Sequence, residues 1–299
     1  MSNSINIQKV VTRKIHGILH KSNVVPCVFL GWSTIKASTY WNALTVANGG
    51  VEVSGSIYGI TTCTLKNAIN DWFTSITIPS IAISAAYLYI GATAATHAIN
   101  AWNPGTYDLS FNGGVTYTSQ GCVYNGITGY ANTGLIPSTI LTDIDFGVSA
   151  KTSNRIGNSI FIGSKDDPFI GAKRVSFGYT VANLRSTLYS AEPAACQYTS
   201  RIDVPALTNG FNITQRESST QMAIYQDGIL LGNNITPSTY CATLPVIQPL
   251  YIGASNTAGT ATNFFKGTLA FNHIGASIPS LTIPAFTTRT NDLMAVLGR

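Results

Sequence analysis

From about residue 83 onward, short apolar segments alternate with turns, and this alternation constrains the fold more than any other feature. The segments are rich in β-branched and aromatic residues, which fit a half-buried pleated surface, whereas the Gly, Asn and Ser between them favour turns. Many short strands of this kind indicate an antiparallel sandwich. The predicted strands are Gly114–Thr118, Asp145–Ala150, Ser159–Ile162, Arg174–Tyr179, Ser186–Ser190, Phe211–Arg216, Gln221–Tyr225, Gly228–Gly232, Leu250–Ile252 and Gly267–Ile274.

The clearest local signal is a hairpin in which Asp227 and Gly228 form a tight type I′ turn. The words Ile-Gly-Ala and Ile-Gly-Ser recur irregularly, for example at Gly91, Gly163 and Gly253. Glycine at the end of a strand permits a bend or a close backbone approach. The irregular gaps between these words exclude a solenoid.

Composition supports an all-β protein. Charged residues make up 10% of the 299 residues, against about 25% in a typical globular domain. Small polar residues take their place, with 36 Thr, 27 Ser and 23 Asn. The 45% hydrophobic fraction excludes disorder, and the scarcity of Glu and Lys excludes a coiled coil. The sequence contains no run of about 18 consecutive apolar residues, so no membrane span is predicted.

Residues 1–82 differ from the rest and are predicted to form a small α/β attachment module with a basic arm. One helix is predicted at 64–76, because Leu65, Ile69, Trp72, Phe73 and Ile76 share one helical face. Thr64 is its predicted N-cap. A strand, a glycine turn and a second strand are predicted over 46–53. The module is too small to bury much core alone, so it should pack on the rest or on a partner.

The net charge of +5 lies entirely in the first 36 residues, where five bases precede the first acid, Glu52. A basic arm that docks on an acidic protein surface is the favoured interpretation, and a merely solvated terminus is the alternative. Nucleic-acid binding requires more bases than this, so no nucleic-acid partner is expected. The candidate docking residues are Lys9, Arg13, Lys14 and Lys21.

Candidate catalytic and metal-binding groups are sparse. The five cysteines show no metal-ligand spacing and are predicted to be mainly free thiols, with one disulfide as the alternative. Asp143 and Asp145 are the one acidic pair at strand spacing and are interpreted as a solvated strand start, with a metal-binding or catalytic pair as the alternative. Asp166 and Asp167 are interpreted as a turn, since calcium needs six to eight oxygen ligands. His16 and His20 lack the intervening Glu of a metalloprotease helix. We therefore expect no enzyme activity, no cofactor and no metal.

Three segments resemble tailed-bacteriophage structural proteins. They are the stretch from Tyr87 to Pro104, the stretch from Gln120 to Ser138, and the end of the chain from Tyr251-Ile-Gly-Ala through Asn263–Ser277 to Leu-Gly-Arg. Together they are similar to the concanavalin A-like (laminin-G-like) jelly-roll module of phage tail and surface proteins. The resemblance spans about residues 83–299. It implies an all-β jelly-roll sandwich at 83–299, preceded by the attachment segment at 1–82.

The resemblance also implies a virion protein, made in the cytoplasm of the bacterial host. The expected role is tail-associated, as a fibre, baseplate protein or adhesin that contributes to host-surface attachment. A head fibre or capsid decoration protein is the alternative, and a glycan depolymerase is disfavoured by the scarcity of acids. Expected partners are other virion proteins, a host surface glycan, and further copies of the chain in a trimer. No membrane partner is expected.

Overall fold

The structure is a computed structural model. It describes residues 27–76, 81–140, 142, 145–157, 159–167, 173–179, 183–189, 201–205, 209–218, 220–235 and 245–299. Lys9, Arg13, Lys14, Lys21, His16, His20 and Asp143 lie outside these ranges, as do Cys196, Cys241 and Glu192.

Two sheets lie face to face, as the alternation of strands and turns predicts. Sheet A contains β1 (Ile83–Tyr87), β3 (Val115–Thr118), β4 (Gly121–Asn125), β6 (Phe146–Ser153), β11 (Phe211–Arg216), β12 (Gln221–Gln226), β13 (Ile229–Ile235) and β17 (Lys266–Gly275). Sheet B contains β2 (Ser110–Asn112), β5 (Tyr130–Asn132), β7 (Ser159–Lys165), β8 (Arg174–Tyr179), β9 (Asn183–Tyr189), β10 (Arg201–Pro205), β14 (Tyr251–Ile252), β15 (Ser255–Thr257) and β16 (Thr260–Thr262).

The strand order in sheet A is β13-β12-β11-β6-β17-β4-β3, with β1 also paired to β17. In sheet B it is β10-β9-β8-β7-β14-β5-β2. The described pairings are antiparallel except for that of β15 with β7. The chain passes repeatedly from one sheet to the other, from β2 to β3 and β4, back to β5, and again to β6. The fold is a jelly-roll β-sandwich, in agreement with the prediction.

The helices are α1 (Ile35–Ala47), α2 (Thr62–Ile76), α3 (Ala94–Ala98), α4 (Pro137–Ile140) and α5 (Ile283–Val296), with short 3-10 turns at Gly55–Tyr58 and Ser280–Thr282. The predicted helix is present and begins at Thr62, so the predicted cap at Thr64 is wrong. Thr61 is the capping residue, and its hydroxyl accepts the Thr64 N–H at 3.1 Å. The expectation of a single helix and of strands near 46–53 is also wrong, because α1 continues to Ala47 and no strand occurs within 27–76.

Sheet A is buried on both faces. One face meets sheet B in a core that contains Val148, Phe161, Phe177, Ile224 and Ile252. The other face lies under α1, α2 and α5 in a second core that contains Trp72, Phe73, Phe211, Phe271 and Phe286. Alternation along each strand supplies both cores at once, since successive side chains point to opposite faces. The protein therefore has three layers, and α5 at the far end of the chain shares the helical layer with α1 and α2.

Polar contacts tie the helical layer to the sandwich. The Trp72 indole donates to Thr290 Oγ1 of α5 at 3.3 Å, and Lys151 Nζ of β6 donates to Asn291 Oδ1 at 3.0 Å. The Arg299 guanidinium donates to four backbone carbonyls, those of Leu88, Tyr89, Ser119 and Ala270. None of the described helices is long and apolar enough to span a membrane.

Candidate functional site

Three aromatic side chains on the outer face of sheet B form a surface that we call the aromatic ledge: Tyr130, Tyr251 and Phe264. Tyr130 and Phe264 are half-buried, whereas Tyr251 lies largely beneath them and is 7% exposed. The Tyr130 and Tyr251 rings are stacked, with centroids 4.6 Å apart and planes 23° from parallel. Phe264 also neighbours Tyr130, with centroids 6.4 Å apart and planes 51° apart. The ledge thus presents rings at two angles, centred on Tyr130.

The strand pattern places the ledge outside the sandwich. Ala131 and Ile252 are fully buried in the core between the sheets, so their neighbours Tyr130 and Tyr251 point to the opposite face. Tyr251 pairs with Asn132 in β5. Tyr130 lies two residues before Asn132 on the same face, so Tyr130 and Tyr251 are diagonal neighbours and their rings meet. On its other side Tyr251 pairs with Gly163, which carries no side chain.

Uncharged polar side chains border the ledge. Ser110 and Asn112 of β2 are exposed, and they pair with Asn132 and Tyr130 respectively. The Asn112 amide nitrogen donates to Ser110 O at 3.0 Å, and Asn132 Oδ1 accepts the Gly134 N–H at 2.8 Å. Burial, and then the neighbouring Tyr130, raise the pKa of Tyr251, so its hydroxyl stays protonated at neutral pH. The surface combines flat apolar rings with amide and hydroxyl groups and carries no formal charge.

Glycine permits the close packing beneath the ledge. Gly253 follows Tyr251 and Ile252 at the end of β14 and has a φ of 80°. A side chain at Gly253 would overlap the Tyr124 ring of the opposite sheet. This confirms the predicted role of glycine in the Ile-Gly-Ala word at this position, where it permits a close approach.

The described acidic side chains hold loops in place. Asp166 accepts three backbone N–H bonds, from Val246, Ile247 and Gln248, at 2.9–3.1 Å. Asp145 accepts the Ser277 N–H at 2.6 Å, while its predicted partner Asp143 lies outside the described residues. Asp166 therefore forms part of a loop anchor, which agrees with its interpretation as a turn residue.

The described glutamates are also engaged. Glu52 accepts hydrogen bonds from Lys66 and from the Trp41 indole. Glu217 accepts them from Gln215, Gln221 and the Tyr225 hydroxyl at 2.6–2.8 Å. Among the described residues, no group of three or more His, Cys, Asp and Glu is placed to hold a metal ion.

His97 and Cys122 form a buried pair that sequence spacing did not reveal. His97 Nε2 accepts the Ala92 N–H at 3.0 Å, so Nδ1 carries the proton and faces the Cys122 sulfur at 3.3 Å. Burial lowers the pKa of His97 to about 3 and raises the pKa of the Cys122 thiol well above its usual range. Both groups are thus neutral at pH 7, and a reactive thiolate does not form here.

Cys27 and Cys63 form a disulfide, so the expectation of free thiols is wrong for these two and the alternative of one disulfide holds, while Cys122 is a buried free thiol as expected. The bond ties the start of the described chain to α2, with a separation of 36 residues. Wide spacing in the sequence gave no sign of this pairing, because helix α2 and the segment before α1 meet only in the folded helical layer.

A second concave surface lies in the helical layer, where α2 meets α5. This groove has a volume of about 350 Å³ and Trp72 and Leu293 at its base. Asp71, Arg289 and Asp292 lie at its rim, and Arg289 is 3.8 Å from Asp292. Acidic and basic groups are thus mixed along the groove, which favours no single ligand charge.

No family model matches the chain, and no curated protein matches it. Solved structures with some similarity include the Ruminococcus gnavus IT-sialidase CBM40 bound to α2,3 sialyllactose, at 14% identity, 47% of this chain, 80% of that chain and a TM-score of 0.38. The K499G mutant of the Streptococcus pneumoniae NanB sialidase matches at 13% identity, 58% of this chain, 27% of that chain and 0.46.

Domain 4 of AbnA, a GH43 extracellular arabinanase from Geobacillus stearothermophilus, in complex with arabinotriose, matches at 13% identity, 69% of this chain, 98% of that chain and 0.45. These TM-scores lie below 0.5 and do not by themselves establish a relationship. The jelly-roll assignment rests on the two sheets and their strand order.

Proposed function

We propose that this chain is a non-catalytic, glycan-binding virion protein of a bacteriophage, associated with the tail, which contributes to attachment to the host surface. The observation that carries the glycan-binding part is the aromatic ledge. Stacked rings offer an apolar platform for the C–H face of a sugar, while nearby amides and hydroxyls match its hydroxyl groups. Binding sites of this kind combine apolar surface with a few convergent polar groups.

The virion part of the proposal is supported by the resemblance of residues 83–299 to phage surface modules and by the basic arm. Lys9, Arg13, Lys14 and Lys21 are the residues proposed to dock on other virion proteins. Removal of residues 1–26, which keeps Cys27 with its disulfide and all of α1, should yield a protein that binds glycans normally but fails to join particles. Normal incorporation of this truncation into particles would contradict the docking proposal.

A head fibre or capsid decoration protein remains the second candidate, and it differs from a tail protein in copy number. Quantitative mass spectrometry of purified particles separates the two, since decoration proteins occur in far more copies than tail proteins. A depolymerase is disfavoured because glycoside hydrolysis needs two carboxylates on either side of the scissile bond, and the chain has only 12 acidic residues, scattered along its length. Release of reducing sugar from host envelope polysaccharide, lost in Asp143→Asn, would support the depolymerase instead.

The glycan-binding part is tested by presenting the full chain to an array of bacterial surface polysaccharides. The array should include 3′-sialyllactose and arabinotriose, because two of the similar structures contain sialyllactose and arabinotriose. Tyr130→Ala removes the central ring, and Tyr130→Phe is the matched control that keeps it. An aromatic contact is worth about 0.5–1.5 kcal/mol, so Tyr130→Ala should weaken binding about two- to tenfold while Tyr130→Phe stays close to wild type. Equal binding by all three proteins would contradict the proposed site.

A further inference from the structure

The outer edge of sheet A at β13 is built unlike the other sheet edges. β13 is seven residues long, Ile229–Ile235, and among the described strands it pairs with β12 alone. An unpaired strand edge offers a row of backbone N–H and C=O groups to another strand. Proteins usually protect such edges with charges, proline or short length.

The other three ends of the two strand orders carry these protections. β10 at the edge of sheet B contains Arg201, Asp203 and Pro205 within five residues. β2 at its opposite edge has three residues, and β3 at the far edge of sheet A has four. In contrast, Ile229–Ile235 contains no charged residue and no proline, and its one irregularity is a bulge at Leu231, opposite Ile224 and Tyr225.

Apolar side chains accompany this open edge. Ile229 is 68% exposed and Leu230 is 48% exposed, immediately after the tight turn at Gly228. Pro284 of α5 lies against that turn, and Leu281, which is 95% exposed, precedes Pro284 by three residues. Successive strand residues point to opposite faces, so Ile229 and Leu230 place exposed apolar groups on both faces of sheet A at the start of β13.

We propose that β13 is a self-association edge, on which a second copy of this chain pairs its own β13 antiparallel about a two-fold axis. Antiparallel edges are complementary to themselves, so one strand sequence supplies both sides of the ladder. Because Ile229–Ile235 is uncharged, two copies of β13 can pair without placing like charges opposite each other. Two copies of β10 would instead bring together strands that contain Arg201 and Asp203. The paired sheets form one continuous sheet across the dimer and carry two aromatic ledges.

The expected association is weak. Seven strand residues span about 23 Å, and a strip of that length buries less than the roughly 1,000 Å² typical of a stable interface. Monomer and dimer should therefore exchange with concentration. A dimer also differs from the trimer expected from the sequence, so the stoichiometry distinguishes the two.

Sedimentation velocity on the full chain from about 1 to 100 μM tests this proposal, because the fraction of a weak dimer rises over such a concentration range. Wild type should shift from monomer to dimer, whereas Ile229→Lys should stay monomeric throughout. Ile127→Lys is the matched control, since Ile127 is 71% exposed on a different turn, and it should dimerise like wild type. A monomeric wild type, a trimer, or an undiminished dimer in Ile229→Lys would each overturn the proposal.

Amide hydrogen exchange gives a second readout that needs no variant. The amides of β13 should become more slowly exchanging as concentration rises, while those of β3 should not change. Protection that rises equally on both edges, or on β3 alone, would contradict pairing through β13.

Discussion

The three-layer arrangement predicts that a large buried residue in either core, the one between the sheets or the one under the helices, contributes equally to the stability of the whole protein. Phe271 lies on the helical side, with Trp72, Phe211 and Phe286 at 5.5–6.3 Å between ring centroids. Phe161 lies between the sheets, with Phe177 and Tyr179 at 4.8 and 5.2 Å. Both side chains are fully buried. Replacement of a buried Phe by Ala typically costs about 3–5 kcal/mol.

We therefore expect Phe271→Ala and Phe161→Ala each to lower the free energy of unfolding by about 4 kcal/mol. For a chain of this size that corresponds to a fall in Tm of roughly 10 °C. Ile127→Ala is the control, because a change at an exposed site usually stays within about 0.5 kcal/mol.

Two probes of urea unfolding report on the two cores separately. Tryptophan fluorescence follows the helical layer, where Trp72 touches Phe271, and far-UV circular dichroism follows the strands. In Phe271→Ala both signals should shift together to lower urea. If the fluorescence midpoint alone moves and the strand signal stays at its wild-type midpoint, the helical layer is an independent appendage and the three-layer account is wrong.

Three further perturbations have expected outcomes. Cys63→Ser opens a loop of 36 residues and should cost about 4 kcal/mol in urea titration, and an unchanged midpoint under non-reducing conditions would show that the bond contributes nothing. Burial lowers the pKa of His273 to about 3, and its ring nitrogens have no hydrogen-bond partner among the described residues. The unfolded chain therefore takes up this proton first, and His273 should contribute a loss of stability of about 1.4 kcal/mol per pH unit as the pH falls from 6.5 to 3, in addition to that of His97. The slope should therefore be shallower in His273→Leu. An identical slope in that variant would refute the assignment. Arg299→Ala should cost about 3 kcal/mol and Arg299→Lys less, because the guanidinium serves four carbonyls, and equal midpoints by thermal denaturation would contradict this role.

Much of the sandwich follows from sequence pattern. Arg174–Tyr179 and Phe211–Arg216 are strands with the predicted bounds, and the Asp227-Gly228 turn has positive φ at both residues, as a type I′ turn requires. These segments are local: their side chains alternate strictly and their turn chemistry is specific. Local sequence pattern is therefore enough to predict a strand that is short and bounded by turns.

Helix α5 was not predicted from the sequence, because Thr takes the place of apolar residues on its buried face. In α5 the buried face includes Thr287 and Thr290 between Phe286 and Leu293, so the helical period is hidden from a search for apolar residues. The predicted helix α2 differs because its buried face is almost wholly apolar.

The aromatic ledge could not be predicted from the sequence because its rings come from separate parts of the chain. Tyr130 belongs to β5, Tyr251 to β14, and Phe264 follows β16. Only the strand order of sheet B brings β5 beside β14. The disulfide depends likewise on the packing of distant segments.

The most direct test of the proposed function is the position of a bound glycan in a crystal of the full chain, soaked with the polysaccharide fragment that the array selects. The account predicts a sugar ring stacked on Tyr130, at about the distance of one van der Waals contact, with its hydroxyl groups toward Asn112 and Asn132. A sugar bound elsewhere on the protein, with the aromatic ledge bare, would contradict it.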